Sequence, residues 1–190
     1  MAYQVIVLPG YGGSGPQHWQ SLWEAAQPQY RRFQPSCWER PLIGDWLAAL
    51  DRAVQAAEQP VILLAHSLSC LLVAHWAARG GRAAGAMLVA PPDPQGPVYP
   101  DDAVGFDPLP TQRFGWPALM VVSENDPYGS PEFAGGCARD WGADLISVGP
   151  LGHINSASGI GDWPQGHEIF RQFLNRLVDE RPVDGARQQT

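Results

Sequence analysis

The stretch Val61-Ile62-Leu63-Leu64-Ala65-His66-Ser67-Leu68-Ser69-Cys70-Leu71 decides how the rest of the chain is read. Five bulky or small apolar residues suit a strand buried on both faces. The run stops at a histidine and a serine, then resumes with helical spacing. That pattern predicts a nucleophile elbow, a sharp strand-to-helix turn that lifts a serine hydroxyl above the carboxyl end of the sheet. Ser67 is the expected nucleophile, and a serine at the end of a strand acting only as a helix cap is the plainer alternative.

Outward from this stretch, apolar strands alternate with helical patterns. Tyr3 to Leu8 reads as a strand, followed by a dense turn signal from Pro9 to Pro16. Trp19, Leu22, Trp23 and Ala26 share a helical face, and a weaker strand is expected around Phe33 to Trp38. A helix over 45–57 carries Trp46, Leu50, Ala53, Val54 and Ala57 as its stripe. After the elbow, strands are expected at 86–90, 118–122 and 144–148, with helices at 131–141 and from Pro164 onward. Pro91 to Gly115, rich in Pro, Asp and Gly and without a period, is too long for an ordinary connector. Its Tyr99, Phe106 and Leu109 are candidates to roof a pocket. The alternation implies a three-layer α/β fold, a mostly parallel sheet with helices on both faces. One domain over 1–180 with a polar tail at 181–190 is expected.

Composition narrows the function classes. Hydrophobic residues make up 45% and charged residues 16% of the 190, so large buried elements are expected. A formal charge of -7 argues against nucleic acid and anionic membrane as partners. Three scattered cysteines show neither a disulfide framework nor metal spacing and suit a reducing compartment. With no signal-peptide pattern and no apolar run near the ~20 residues of a membrane span, a cytoplasmic protein is expected. Glycine-rich dinucleotide and Walker patterns are absent, so no cofactor and no metal are expected. Oligomeric state leaves no mark in the sequence.

Three reactive residues follow predicted strands in the order Ser67, Asp126, His153, the chain order of α/β-hydrolases. A serine hydroxyl needs a base, and an imidazole base needs a carboxylate to hold its tautomer. His153 is assigned as base and then acid, and Asp126 as its orienter, with Glu124 the nearest rival and an Asx-turn the plainer reading of Asp126. Backbone NH groups of Leu68 and Tyr11 are expected to form an oxyanion hole. Gly10 and Gly12, which let that backbone come close, and Trp19 and Tyr128 are the expected substrate contacts. His66 is read as packing beside the elbow, Cys70 as a small buried hydrophobe, and His18 and Trp19 as either pocket lining or core.

These residues carry a resemblance. The segments P-G-Y-G-G-S-G-P-Q-H-W-Q (9–20), A-H-S-L-S-C (65–70), S-E-N-D-P-Y (123–128) and G-H-I-N-S-A-S-G-I-G-D-W-P-Q-G (152–166) resemble the small α/β-hydrolases of the YdeN and retinoblastoma-binding-protein-nine type. The resemblance implies a reduced α/β-hydrolase sheet of about six parallel strands, no large cap domain, and a triad on Ser67, Asp126 and His153. It also implies esterase-like activity on loosely defined substrates. Two departures stand out. Ala65 and Ser69 replace the glycines of the common G-x-S-x-G elbow, and the L-x-C-x-E string tied to a retinoblastoma-protein partner does not occur. The expected function is hydrolysis of a small ester or amide through an acyl-enzyme, with a small-molecule acyl substrate as partner. A hydrolase fold kept as a binding or regulatory module is the alternative from another class, and acyl transfer to a different acceptor uses the same residues.

Overall fold

Six strands form one sheet in the order β2-β1-β3-β4-β5-β6, every neighbouring pair parallel, in a computed structural model that describes residues 3–179. The strands are β1 (Gln4–Leu8), β2 (Arg31–Arg32), β3 (Val61–His66), β4 (Gly85–Val89), β5 (Ala118–Val122) and β6 (Asp144–Ser147). The helices are α1 (Trp19–Ala26), α2 (Ile43–Gln55), α3 (Leu68–Ala78), α4 (Pro131–Trp141) and α5 (Pro164–Asp179). The tail expected at 181–190 lies outside the described residues.

Two apolar cores flank the sheet because side chains alternate along each strand. On one face Ile6, Leu8, Leu63, Ala65, Leu88 and Met120 meet α2, α3 and α4. On the other, Val5, Val7, Ile62, Leu64, Met87 and Leu119 meet α1 and α5 through Trp19, Trp23, Phe170 and Phe173. The central strands β3, β4 and β5 are buried along their whole length, which is why their sequences are apolar without alternation. Helix α3 is apolar all round for the same reason, and eight of its residues are buried.

Two sequence expectations need correction. The strand expected around Phe33 to Trp38 is instead the two-residue β2 just before it, where Arg31 and Arg32 pair with Ile6 and Val7. The following residues leave the sheet edge at Pro35, which has no NH to give a ladder, and carry Trp38 across to the loop after β1. The Pro91 to Gly115 segment is only partly a roof. Phe106 is fully buried against Trp46, and Leu109 packs on the same core, while Val98, Tyr99 and Pro100 reach the pocket. The imidazole of His75 on α3 fastens this segment, its Nε2 lying 2.9 Å from the carbonyl of Phe106. No helix among the described residues is long and apolar enough to cross a membrane.

Candidate active site

Ser67 sits between β3 and α3 with φ 54° and ψ -126°, a conformation that L-residues rarely adopt. Its own NH donates to the carbonyl of Val89 at 2.9 Å, so the end of β4 holds the turn in place. Strain of this kind persists only where the surroundings fix it, and here it turns the hydroxyl out of the sheet. Ala65 and Ser69, standing where glycines are common, are fully buried. Ser69 is more than a small replacement: its hydroxyl donates to the carbonyl of Pro9 at 2.6 Å, tying the elbow helix to the loop after β1.

The structure brings Ser67, His153 and Asp126 together from three loops at the carboxyl ends of the strands. His153 Nε2 lies 2.8 Å from Ser67 Oγ, and His153 Nδ1 lies 2.9 and 2.8 Å from the two oxygens of Asp126. The carboxylate fixes the proton on Nδ1, which leaves Nε2 as acceptor for the serine hydroxyl. The Asp126 side chain is only 2% exposed, so little water competes for the imidazole. Asp126 also accepts from the NH of Tyr128 at 2.9 Å, so it is an Asx-turn residue and the histidine's partner at once. Glu124, its rival, points elsewhere and accepts from Ser147.

His153 is held by residues that its own sequence neighbourhood does not reveal. Gly152 and Ile154 on either side both have positive φ, and the branched Ile154 does so at a cost. The compensation comes from the loop after β5. The side-chain oxygen of Asn125 accepts from the NH of Gly152 at 2.7 Å and from Ser123 Oγ, which in turn accepts from the NH of Leu151 at 2.8 Å. The acid loop and the histidine loop are thereby one hydrogen-bonded unit. His66 lies beneath, its Nε2 2.9 Å from the carbonyl of His153, to which it donates. Trp19, expected to contact substrate, is not on the pocket wall: it is buried beneath the histidine loop, donates from Nε1 to the carbonyl of Ile154 at 2.9 Å, and packs on Trp23 and Trp163. Its place on the inward face of α1 makes it a support for the histidine loop, and the pocket is met instead by His18, one residue earlier at the helix N-cap.

The loop after β1 faces Ser67 from the other side. A Cβ on Gly10 would meet Ser67, so this glycine sets the spacing of the two loops. Tyr11 opens a short 3-10 turn closed by the NH of Gly13 on the carbonyl of Gly10. The NH groups of Tyr11 and Leu68 make no hydrogen bond within the described residues. Leu68 is the first residue of α3, where the leading NH groups have no intrahelical acceptor. The fully buried Gln20 ties this loop to the sheet: its Oε1 accepts from Ser14 Oγ, and its Nε2 donates to the carbonyls of Leu8 and Leu64.

A cavity of about 490 Å³ opens over Ser67 and His153, with Tyr11, Gly12 and Tyr128 on its wall as expected. Among the described residues, no Arg, Lys, Asp or Glu lines it. The ring of Tyr128 lies 4.4 Å from that of His153. His18 and His66 also border it, their rings 4.7 Å apart. Burial, reinforced by the charge of Arg32, lowers the His18 pKa to about 3, and burial lowers that of His66 well below the usual value. Both are neutral imidazoles. Cys70 is buried, its thiol pushed up by burial, which suits packing and not nucleophilic chemistry. No group of three or more His, Cys, Asp or Glu among the described residues is arranged to hold a metal.

Comparison with known proteins agrees with this architecture. No curated protein matches the chain at a significant level. A YdeN-like hydrolase from Pectobacterium atrosepticum is 33% identical, with TM-score 0.81 over 92% of each chain. The ydeN gene product of Bacillus subtilis is 20% identical, with TM-score 0.76 over 92% of this chain and all of the other. Est1E from Butyrivibrio proteoclasticus, 11% identical with TM-score 0.68 over 94% of this chain and 89% of that one, shares the fold. The serine hydrolase family model matches residues 5–172, and the chain belongs to the serine hydrolase family, with the α/β-hydrolase fold.

Proposed function

We propose that this hydrolase cleaves a small, uncharged ester through an acyl-enzyme on Ser67. The observation that carries the reading is the unbroken relay from Asp126 through His153 to Ser67, with 2.8 Å between Nε2 and Oγ, at the floor of a pocket. Ser67 Oγ attacks the acyl carbon as Nε2 takes its proton, and the carbonyl electrons move onto oxygen. In this reading the amides of Tyr11 and Leu68, which make no hydrogen bond within the described residues, stabilise that charge. Collapse of the adduct expels the alkoxide, which takes the proton from Nε2 of the imidazolium. Water then attacks the acyl-enzyme by the same route, releasing the acid and restoring Ser67.

The absence of charged side chains on the pocket wall favours a neutral substrate, because an ionised acyl group would lose its hydration there without a partner. With only Val98, Tyr99 and Pro100 as a partial roof, short acyl groups are favoured over long chains. The test is labelling with a fluorophosphonate, followed by a series of chromogenic esters. The native protein is expected to label at Ser67 and Ser67→Ala not at all; folded protein that fails to label would support a binding module instead. A preference for octanoate or longer over acetate and butyrate would refute the short-chain assignment.

A further inference from the structure

The loop that presents the Tyr11 amide is built from conformations that do not hold themselves. Gly12, Gly13 and Ser14 all have positive φ, at 75°, 78° and 50°. Ser14, with a Cβ, is strained there. Among the described residues, the one backbone hydrogen bond made within Gly10 to Ser14 runs from the NH of Gly13 to the carbonyl of Gly10 at 3.1 Å. Something outside must keep its carbonyls turned away from Ser67 and its Tyr11 NH free.

The guanidinium of Arg32 is that support. Arg32 ends the edge strand β2, directly behind the loop. Its Nη1 donates to the carbonyls of Gly13 at 2.7 Å and Ser14 at 3.2 Å. Its Nη2 donates to Ser21 Oγ at 2.7 Å, and that hydroxyl donates in turn to the same Ser14 carbonyl at 2.7 Å. Its Nε donates to Glu24 on α1 at 2.9 Å, and Nη2 also meets Glu24. The side chains of Arg32 and Glu24 are 21% and 19% exposed, so the fork is fixed within the protein. On its other flank, the NH of Gly12 donates to the carbonyl of Trp38, and a Cβ on Gly13 would run into the Trp38 ring.

We infer that Arg32 is a positioning residue for the reaction, clamping the Gly13 and Ser14 carbonyls so that the Tyr11 amide stays aimed at the oxyanion. The inference rests on the hydrolase reading above. A planar fork can grip two carbonyls, a hydroxyl and a carboxylate together, whereas the point charge of lysine cannot. Arg32 neither contacts Ser67 nor lines the pocket itself, and reaches it only from behind through the Ser14 carbonyl, so its influence should fall on stabilisation of the transition state and spare ground-state binding.

The experiment compares Arg32→Gln and Arg32→Lys with Leu177→Ala, a core truncation beside Gly85 at the opposite end of the sheet. Leu177→Ala controls for lost stability. In Arg32→Gln, kcat on a short-chain ester is expected to fall about 10- to 100-fold with KM within about threefold, as for a displaced oxyanion donor. Affinity for a boronic acid, which forms a tetrahedral adduct on the serine, should fall in parallel with kcat, and Arg32→Lys should recover only part of both. Leu177→Ala, lowered in Tm, should keep kcat. If Arg32→Gln keeps the kcat and boronate affinity of Leu177→Ala, or if KM alone rises, the role assigned to Arg32 is wrong while the hydrolase reading stands. A wild-type protein that neither labels nor turns over overturns both.

Discussion

Gly10 and Ser67 stand so close that a Cβ on Gly10 would lie 2.7 Å from the Cβ of Ser67 and 3.2 Å from its hydroxyl oxygen. The backbone of the loop after β1 thus approaches the nucleophile to a distance only glycine allows. Gly10→Ala has an ordinary φ of -81° available, so its effect should come from contact and not from backbone strain. The two loops must move apart, taking the Tyr11 amide with them. The expected outcome is a loss of about 100-fold in kcat with the fold retained, read from ester hydrolysis beside circular dichroism. Activity near wild type would mean that the loop yields without cost and that its spacing is unimportant.

Asp126 and Glu124 separate cleanly. Asp126→Asn keeps the shape but presents an amide that no longer fixes the Nδ1 proton, so kcat should drop by about 10,000-fold. Glu124→Gln, whose side-chain partner among the described residues is Ser147, should remain within about twofold of wild type. Equal losses in the two variants would place the acid elsewhere.

Ser69 makes a stability prediction. Its hydroxyl is the hydrogen-bond partner of the Pro9 carbonyl, and the residue is fully buried. Ser69→Ala leaves that carbonyl without the donor, at a cost of about 1–3 kcal/mol by urea unfolding. Ser69→Gly restores the commoner elbow residue yet should be less stable still, since glycine adds about 1 kcal/mol in a helix. A stabilised Ser69→Gly would show that the serine crowds the turn.

The parts of this protein readable from sequence are those written in local pattern. The unbroken apolar runs at 61–65 and 118–122 became buried central strands because parallel strands covered on both faces need no polar side. Ser67, Asp126 and His153 were legible because each directly follows such a strand or the loop beyond it, where the sheet gathers them. The short edge strand was not legible at 33–38, since only two residues of an edge need pair, and Arg31 and Arg32 carry no strand signal. Trp19 showed an apolar residue near the site, but periodicity cannot tell a pocket wall from the support beneath it. Gln20, Asn125 and Arg32 act through hydrogen bonds across long separations in sequence, and no spacing rule announces such contacts.

Acid should destabilise the protein through its buried imidazoles. His18, facing His66, His153 and the charge of Arg32, has its pKa lowered to about 3, and His66 is also held well below its usual range. In the unfolded chain both titrate near 6.5, so between that pH and the folded values the unfolded state binds more protons. Stability is therefore full above about pH 6.5 and falls as the pH drops, by about 2 kcal/mol at pH 5 for His18, with His66 acting in the same direction. His18→Asn keeps a side-chain acceptor for the NH of Gln20 at the helix N-cap but does not titrate. Its urea-unfolding free energy should lose about 2 kcal/mol less than wild type between pH 7 and pH 5. Identical pH slopes would mean that His18 is protonated in the folded protein.

The Tyr11 amide can be removed without disturbing its loop. Tyr11 is the first residue of a 3-10 turn, preceded by Gly10 with extended φ/ψ of -81° and -158°. Proline is accepted at a first helical position, where the NH has no partner in the turn, and an extended glycine is a compatible residue before it. Tyr11→Pro therefore deletes one donor atom group while keeping the backbone path, and Tyr11→Ala supplies the control for the lost ring. If the Tyr11 NH receives the developing oxyanion, Tyr11→Pro should fall about 100- to 1,000-fold below Tyr11→Ala in kcat, with KM little changed. Because the proline ring carbon also takes the place of the amide hydrogen, ester affinity is measured beside the rate of fluorophosphonate labelling, and the loss of rate should exceed any loss of affinity. Equal rates in Tyr11→Pro and Tyr11→Ala would assign the second donor to another group, leaving Leu68, at the start of α3, as the amide in place.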